Sequence, residues 1–134
     1  MFHLPRDLTA PSSLAATDPM SGDQFIAFSL VCVHLWCLMS YNQSSRLIVC
    51  GCHNSEYVPG TGQYPNNPAA TNQPPGMAIS GPAARGTLPN NMIPVATLEI
   101  SPDGTIYVTG IVGTVGYCQQ CSTSTTTTTQ GRPL

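Results

Sequence analysis

The chain has 134 residues, a length within the range of one domain. It carries four arginines and no lysine, six acidic residues and three histidines, for a formal charge of −2 and only 7% charged residues. That balance offers no basic footprint for nucleic acid and little material for charge-based catalysis. In place of charge stand Ser, Thr, Asn and Gln with 12 Gly and 13 Pro, a composition suited to a segment covered by other chains or laid along a surface.

Residues 1–24 are polar and broken by Pro5, Pro11 and Pro19. They read as an extended N-terminal arm and not as a secretory leader, because no apolar core follows a basic start. Residues 25–53 form an apolar segment followed by a short strand. The run FIAFSLVCVHLWCLMSY at 25–41 holds no formal charge with His34 neutral, and three readings stay open: a membrane span, a buried helix or strand, and a signal sequence starting at Met20. Arg6 and Arg46 flank the run evenly and do not orient it in a membrane. RLIVCGCH at 46–53 reads as a strand, and the polar link YNQSS at 41–45 can turn the chain back, pairing 30–40 with 46–52 as a hairpin.

Residues 54–92 repeat proline at 59, 65, 68, 74, 75, 82 and 89. Proline removes an amide donor and fixes φ, which rules out a helix or a central strand. An extended path with turns is expected, ordered by a neighbour or acting as a linker. Residues 93–121 give the clearest local signal. Ser101-Pro102-Asp103-Gly104 suits a type I turn with a left-handed glycine, between two alternating strands. The turn sets Ile100 opposite Ile106 and Leu98 opposite Val108 on one face, with Glu99 and Tyr107 on the other. A lone hairpin is marginal in water, so Leu98, Ile100, Ile106 and Val108 are the candidate partner-binding residues. The tail at 122–134 is Thr-rich and of low complexity.

Six cysteines stand at 32, 37, 50, 52, 118 and 121. Cys50 and Cys52 with Cys118 and Cys121 are a candidate zinc set, since short spacers aim two thiolates at one point. Disulfides and buried thiols compete with that reading, and three bridges allow fifteen connectivities. Cys50 and Cys52 are too close to prefer each other. CQQC lacks the following helix of a redox motif. His53 beside Cys52 is a conceivable catalytic pair, but His3, His34 and His53 sit in no recognisable triad, and no phosphate loop or HExxH is present. An enzyme is not expected, and no cofactor other than a possible zinc is called for. Asn42-Gln43-Ser44 is a glycosylation sequon that matters only in a secretory setting.

The stretch LEISPDGTIYVTG at 98–110 resembles the β-hairpin modules of viral and phage fibre, spike and minor capsid proteins. With the low charge and the long Pro/Asn path, this resemblance implies a structural assembly protein: a minor capsid, cement, fibre or tail component binding its neighbours through extended arms and strand addition. Its partners would be subunits of the same assembly, as a homo-oligomer or on a major coat protein, in a virion or on an extracellular surface, without nucleic acid. Two alternatives remain. One is a small membrane-anchored or secreted disulfide-bonded surface protein with 25–41 as the anchor; the other is a zinc-stapled binding module. The expected fold is mainly β with long irregular extended segments and a C-terminal hairpin, or α+β if 25–41 is a helix.

Overall fold

The structure is a computed structural model and describes residues 1–88 and 90–115. Eleven short strands follow one another: β1 (Phe2–His3), β2 (Leu8–Thr9), β3 (Ala15–Thr17), β4 (Gln24–Phe28), β5 (Met39–Asn42), β6 (Leu47–Cys50), β7 (Glu56–Tyr57), β8 (Thr61–Gly62), β9 (Ala78–Ser80), β10 (Val95–Ile100) and β11 (Ile106–Val112). Two 3₁₀ turns, Pro68–Ala70 and Pro82–Arg85, are the only helical pieces among the described residues. Every pairing is antiparallel. One sheet runs β1-β4-β10-β11 with β3 also on β4, a second runs β5-β6-β7-β9, and β2 pairs β8 as a separate ribbon. A mainly β fold with a C-terminal hairpin is therefore what the chain adopts.

The apolar run at 25–41 is neither a helix nor one strand. It begins as β4, leaves the sheet at Phe28, loops through residues 32–37 and returns as β5. The α+β alternative thus falls away, and no helix among the described residues is long and apolar enough to cross a membrane. The polar link turns as its chemistry requires. The Asn42 side-chain oxygen accepts the amides of Ser44 (2.9 Å) and Ser45 (3.2 Å), an Asx turn that replaces the missing ladder bonds. The resulting hairpin pairs Met39 with Cys50 and Asn42 with Leu47, and a bridge from Val31 to Leu38 closes the loop above it.

Residues 1–24 do not extend away as an arm. β1 and β3 lie on β4, and β2 lies on β8. Arg46 ties this region to the β5–β6 hairpin: its Nη1 donates to both Asp7 oxygens, at 3.0 and 2.7 Å, and its Nη2 donates to the Gln63 carbonyl at 2.7 Å. The described residues of the Pro-rich stretch 54–92 pack into this chain's own core. Tyr57, Val58, Pro59 and Pro75 are fully buried, and Val58, Tyr64 and Ala70 form one cluster with Leu8 and Leu47. The expectation of no central strand here is corrected: β7 pairs with β6 on one side and β9 on the other, although the strands of the stretch are only two or three residues long. The burial that orders the segment is non-local.

The hairpin of β10 and β11 has the expected register, Ile100↔Ile106, Glu99↔Tyr107 and Leu98↔Val108, with a bulge beyond Leu98. Gly104 takes φ +87 in the turn, and the Asp103 side chain accepts the Thr105 amide at 3.0 Å. β4 pairs only with Val95 and Ala96 of β10. Leu98, Ile100, Ile106 and Val108 join neither apolar cluster.

Candidate metal centre

Two loops of the same construction flank the β5–β6 hairpin. In the first, the Cys32 amide donates to the Cys37 carbonyl and the Trp36 amide donates to the Cys32 carbonyl, both at 2.8 Å. In the second, the Cys50 amide donates to the Ser55 carbonyl and the Asn54 amide donates to the Cys50 carbonyl, both at 2.9 Å. Each loop turns through a left-handed residue at its fifth position, Trp36 and Asn54, both at φ +61. Asparagine takes that conformation readily, but a bulky side chain rarely does. Each loop opens on a buried cysteine and carries one histidine: Cys32-Val33-His34 and Cys50-Gly51-Cys52-His53.

A disulfide between Cys37 and Cys52 joins the two loops, with Cα atoms 6.4 Å apart. Cys32 and Cys50 remain free thiols, both with no exposed surface, and lie within hydrogen-bonding reach of each other. The two imidazoles meet edge to face with ring centroids 4.7 Å apart. His34 Nδ1 is buried without any hydrogen-bond partner. A buried orphan nitrogen costs free energy, and a metal ion would relieve that cost at this atom.

Neutral surroundings complete the site. Between Arg46 and Glu56 the sequence has no formally charged residue, and from Ser29 to Ser45 it again has none. Burial pushes the Cys50 thiol above its ordinary range, opposed by the amides of Cys52 and His53. Such a thiol keeps its proton until a metal displaces it. Tyr57, fully buried on β7, places its hydroxyl 3.2 Å from Cys32 Sγ. Burial, then the contact with Cys32, drives its phenol well above the ordinary value of 10.0. The thiol end of the arrangement is sealed, while His53 is exposed and His34 half-buried.

The sulfurs of Cys37, Cys50 and Cys52 lie within 4.8 Å of one another. Two of those three are bonded to each other, so this cluster alone offers only Cys50 as a ligand. Of the four cysteines expected to hold zinc, Cys50 is in the site and Cys52 is spent in the disulfide, while Cys118 and Cys121 lie outside the described residues. The structure instead leaves Cys32 and Cys50 as free buried thiols on the two loops whose imidazoles, His34 and His53, face each other. Their signal was present in the sequence as Cys-x-His followed by Cys-x-x-His, with the strands of one hairpin between them. Reading 25–41 as a single apolar unit hid it.

The family model of the Rieske [2Fe-2S] domain matches residues 12–92, a stretch that contains both loops and more than half of the chain. A comparison with curated proteins found no match. The family match corrects the resemblance to viral fibre and capsid modules, the structural-assembly function built on it with its virion setting, and both alternatives, the membrane-anchored surface protein and the zinc-stapled module. That resemblance rested on residues 98–110, outside the matched region. An Asp-Gly turn between alternating strands is a local solution open to β proteins of any function. The expectation of no cofactor, or zinc, gives way in the same manner: members of this family bind a [2Fe-2S] cluster. Two thiols and two imidazoles on paired loops are the donor set of such a centre, in which two His replace two Cys on one iron, so the residues present fit the group.

Proposed function

This chain belongs to the Rieske [2Fe-2S] domain family, and from that premise we propose that it holds a [2Fe-2S] cluster on Cys32, His34, Cys50 and His53 and works as a one-electron carrier between protein partners. When bound, the cluster supplies a single-electron couple at a potential above that of all-cysteine centres. The observation that carries the reading is the convergence of two buried free thiols and two facing imidazoles, one with an unpartnered buried nitrogen. The chain's own residues do the rest. Cys32 and Cys50, sealed by the core, keep solvent from the sulfur end. The Cys37–Cys52 disulfide holds the two loops in register. His34 and His53 form the solvent-side edge, the shortest path for an electron to a docked partner.

The test is the iron and acid-labile sulfide content of the protein purified from iron-supplemented cells. About two of each per chain is expected for wild type. Loss of both is expected in Cys32→Ser and Cys50→Ser, with retention in Cys118→Ser. Stoichiometric zinc in place of iron would overturn the reading.

A further inference from the structure

Of the seven asparagines in the sequence, only Asn42 heads an Asn-x-Ser/Thr triplet with x other than proline, Asn42-Gln43-Ser44. The fold places this triplet at the tip of the β5–β6 hairpin, where Asn42, Gln43, Ser44 and Ser45 are all exposed. The Asn42 side chain is already oriented there. Its Oδ1 accepts the Ser44 and Ser45 amides at 2.9 and 3.2 Å. Two backbone N–H donors can meet only the oxygen of that planar group, so its other branch, Nδ2, is turned outward. Both hydrogen bonds of this side chain among the described residues run to Oδ1, and none uses Nδ2.

A sugar on Nδ2 would leave these contacts intact. N-glycosylation replaces one of the two Nδ2 hydrogens and keeps Oδ1 as an acceptor, so the Asx turn survives the modification. The tip also lies at the far end of the hairpin from the two cysteine–histidine loops. Met39↔Cys50 is the pair beside those loops and Asn42↔Leu47 the pair at the tip, roughly 10 Å away at about 3.4 Å per residue. A groove next to the tip is lined by Gln43, Ser45, Glu56, Asn66 and Asn67, whose amides, hydroxyl and carboxylate can bond sugar hydroxyls. A chain with only 7% charged residues gains hydration from such a coat. The Cys37–Cys52 disulfide supplies the setting. Disulfides form and persist in oxidising compartments, and the Asn-x-Ser/Thr triplet is an acceptor in the surface loops of exported proteins.

We propose that Asn42 is the acceptor of an N-linked glycan, added as the chain enters the oxidising compartment in which its disulfide forms. The donor is an oligosaccharide linked through phosphate to a polyprenyl lipid. The bond from Nδ2 to C1 of the first sugar forms, the C1–O bond to the phosphate breaks, and the lipid phosphate leaves with that bonding pair. The displaced Nδ2 proton passes to a carboxylate of the transferase. The Ser44 hydroxyl is the recognition group two residues after the acceptor, while the Ser44 amide holds the turn. This modification is independent of the cluster-binding reading.

Mass spectrometry of the protein purified from the cells that naturally make it is the test. After reduction, cleavage at arginine releases residues 7–46 as one peptide in which Asn42 is the only asparagine. That peptide is expected to exceed its sequence mass by whole sugar units, with fragmentation placing them on Asn42. A peptide at its bare sequence mass would overturn the proposal, as would sugar confined to the peptide that carries the threonine tract. Two variants made in the same cells are expected to lose the sugar completely. Asn42→Asp keeps an acceptor oxygen for the turn and removes the nitrogen; Ser44→Ala keeps the turn amide and removes the hydroxyl. Sugar retained on residues 7–46 in either variant would assign it to another side chain and sink the proposal. Circular dichroism of both should match that of enzymatically deglycosylated wild type, which separates loss of the sugar from loss of the fold. Should one variant fail to fold, the other gives the same reading. A glycosylated chain that binds no cluster defeats the functional reading alone; a cluster-loaded chain with a bare Asn42 defeats this proposal alone.

Discussion

Replacing Tyr57 by Phe removes one oxygen from the most enclosed part of the site. The ring would stay, because Tyr57 is fully buried and its backbone pairs with Ile48 and Ala78. What disappears is the contact from the hydroxyl to Cys32 Sγ at 3.2 Å. Either atom can donate while Cys32 is a thiol. Once Cys32 is a metal-bound thiolate it has no proton, so the tyrosine donates. A hydrogen bond to a charged acceptor contributes about 1.5–3 kcal/mol, and both redox states of the thiolate enjoy most of it. If the reduced state gains about 1 kcal/mol more, its loss lowers the midpoint potential by roughly 40 mV, since a tenfold change in a one-electron equilibrium is about 59 mV. The assay is a dye-mediated redox titration of loaded wild type and Tyr57→Phe, with thermal unfolding measured in parallel. A potential unchanged within about 10 mV, or one that rises, would refute the argument that this hydroxyl serves the reduced state.

Three further outcomes are expected. Removing the Cys37–Cys52 bridge, which spans a sequence separation of 15, should cost roughly 3 kcal/mol on the chain-entropy scale. By calorimetry this is a fall of about 10 °C in melting temperature for a domain of this size; a Cys37→Ser/Cys52→Ser variant melting with wild type would contradict the loop-clamp role. Gly104→Ala places a side chain at φ +87 with open space around it, so backbone strain alone should cost about 1 kcal/mol by urea titration. A larger loss would mean that the turn organises more than the hairpin. Arg46, first through its hydrogen bond to the carboxylate, holds Asp7 below the ordinary 3.8. The folded value lies below the unfolded one, so the stabilisation is fully present above pH 3.8 and is lost as pH falls through the lower folded value. Asp7 is largely exposed, so the effect is small; Asp7→Asn should lower stability slightly at neutral pH and converge on wild type as pH falls well below 3.8, which flattens the acid limb of the unfolding curve.

The hairpin at 93–112 was legible because its information is local. Pro102, Asp103 and Gly104 specify the turn, and alternation specifies the faces, so the register from Leu98↔Val108 to Ile100↔Ile106 follows without knowledge of the rest. The β5–β6 hairpin was half legible, since Asn42 and its neighbours announce a turn. The first site loop was not, because Cys32 to Cys37 lies within an apolar run whose hydropathy does not change where the strand ends. Its loop character comes from crossed backbone bonds and a left-handed Trp36, and neither is a compositional signal. The pairing of Cys37 with Cys52 is likewise set by three-dimensional closure of two loops, which spacing leaves open among fifteen connectivities. Proline spacing accounts for the shortness of the strands in 54–92 but not for β7 lying inside a sheet, and the order of the segment depends on burial of Val58 and Tyr64 against Leu8 and Leu47 and of Tyr57 in the other apolar cluster, contacts made across the chain.

Mössbauer spectroscopy of the chain loaded with iron-57 tests the central claim most directly. Ligation by Cys32 and Cys50 on one side and His34 and His53 on the other predicts two iron environments in equal amounts, one all-sulfur and one with mixed nitrogen and sulfur ligands. A single environment, or a spectrum unaltered by changing His34 and His53, would contradict the assignment of these four residues as the ligands.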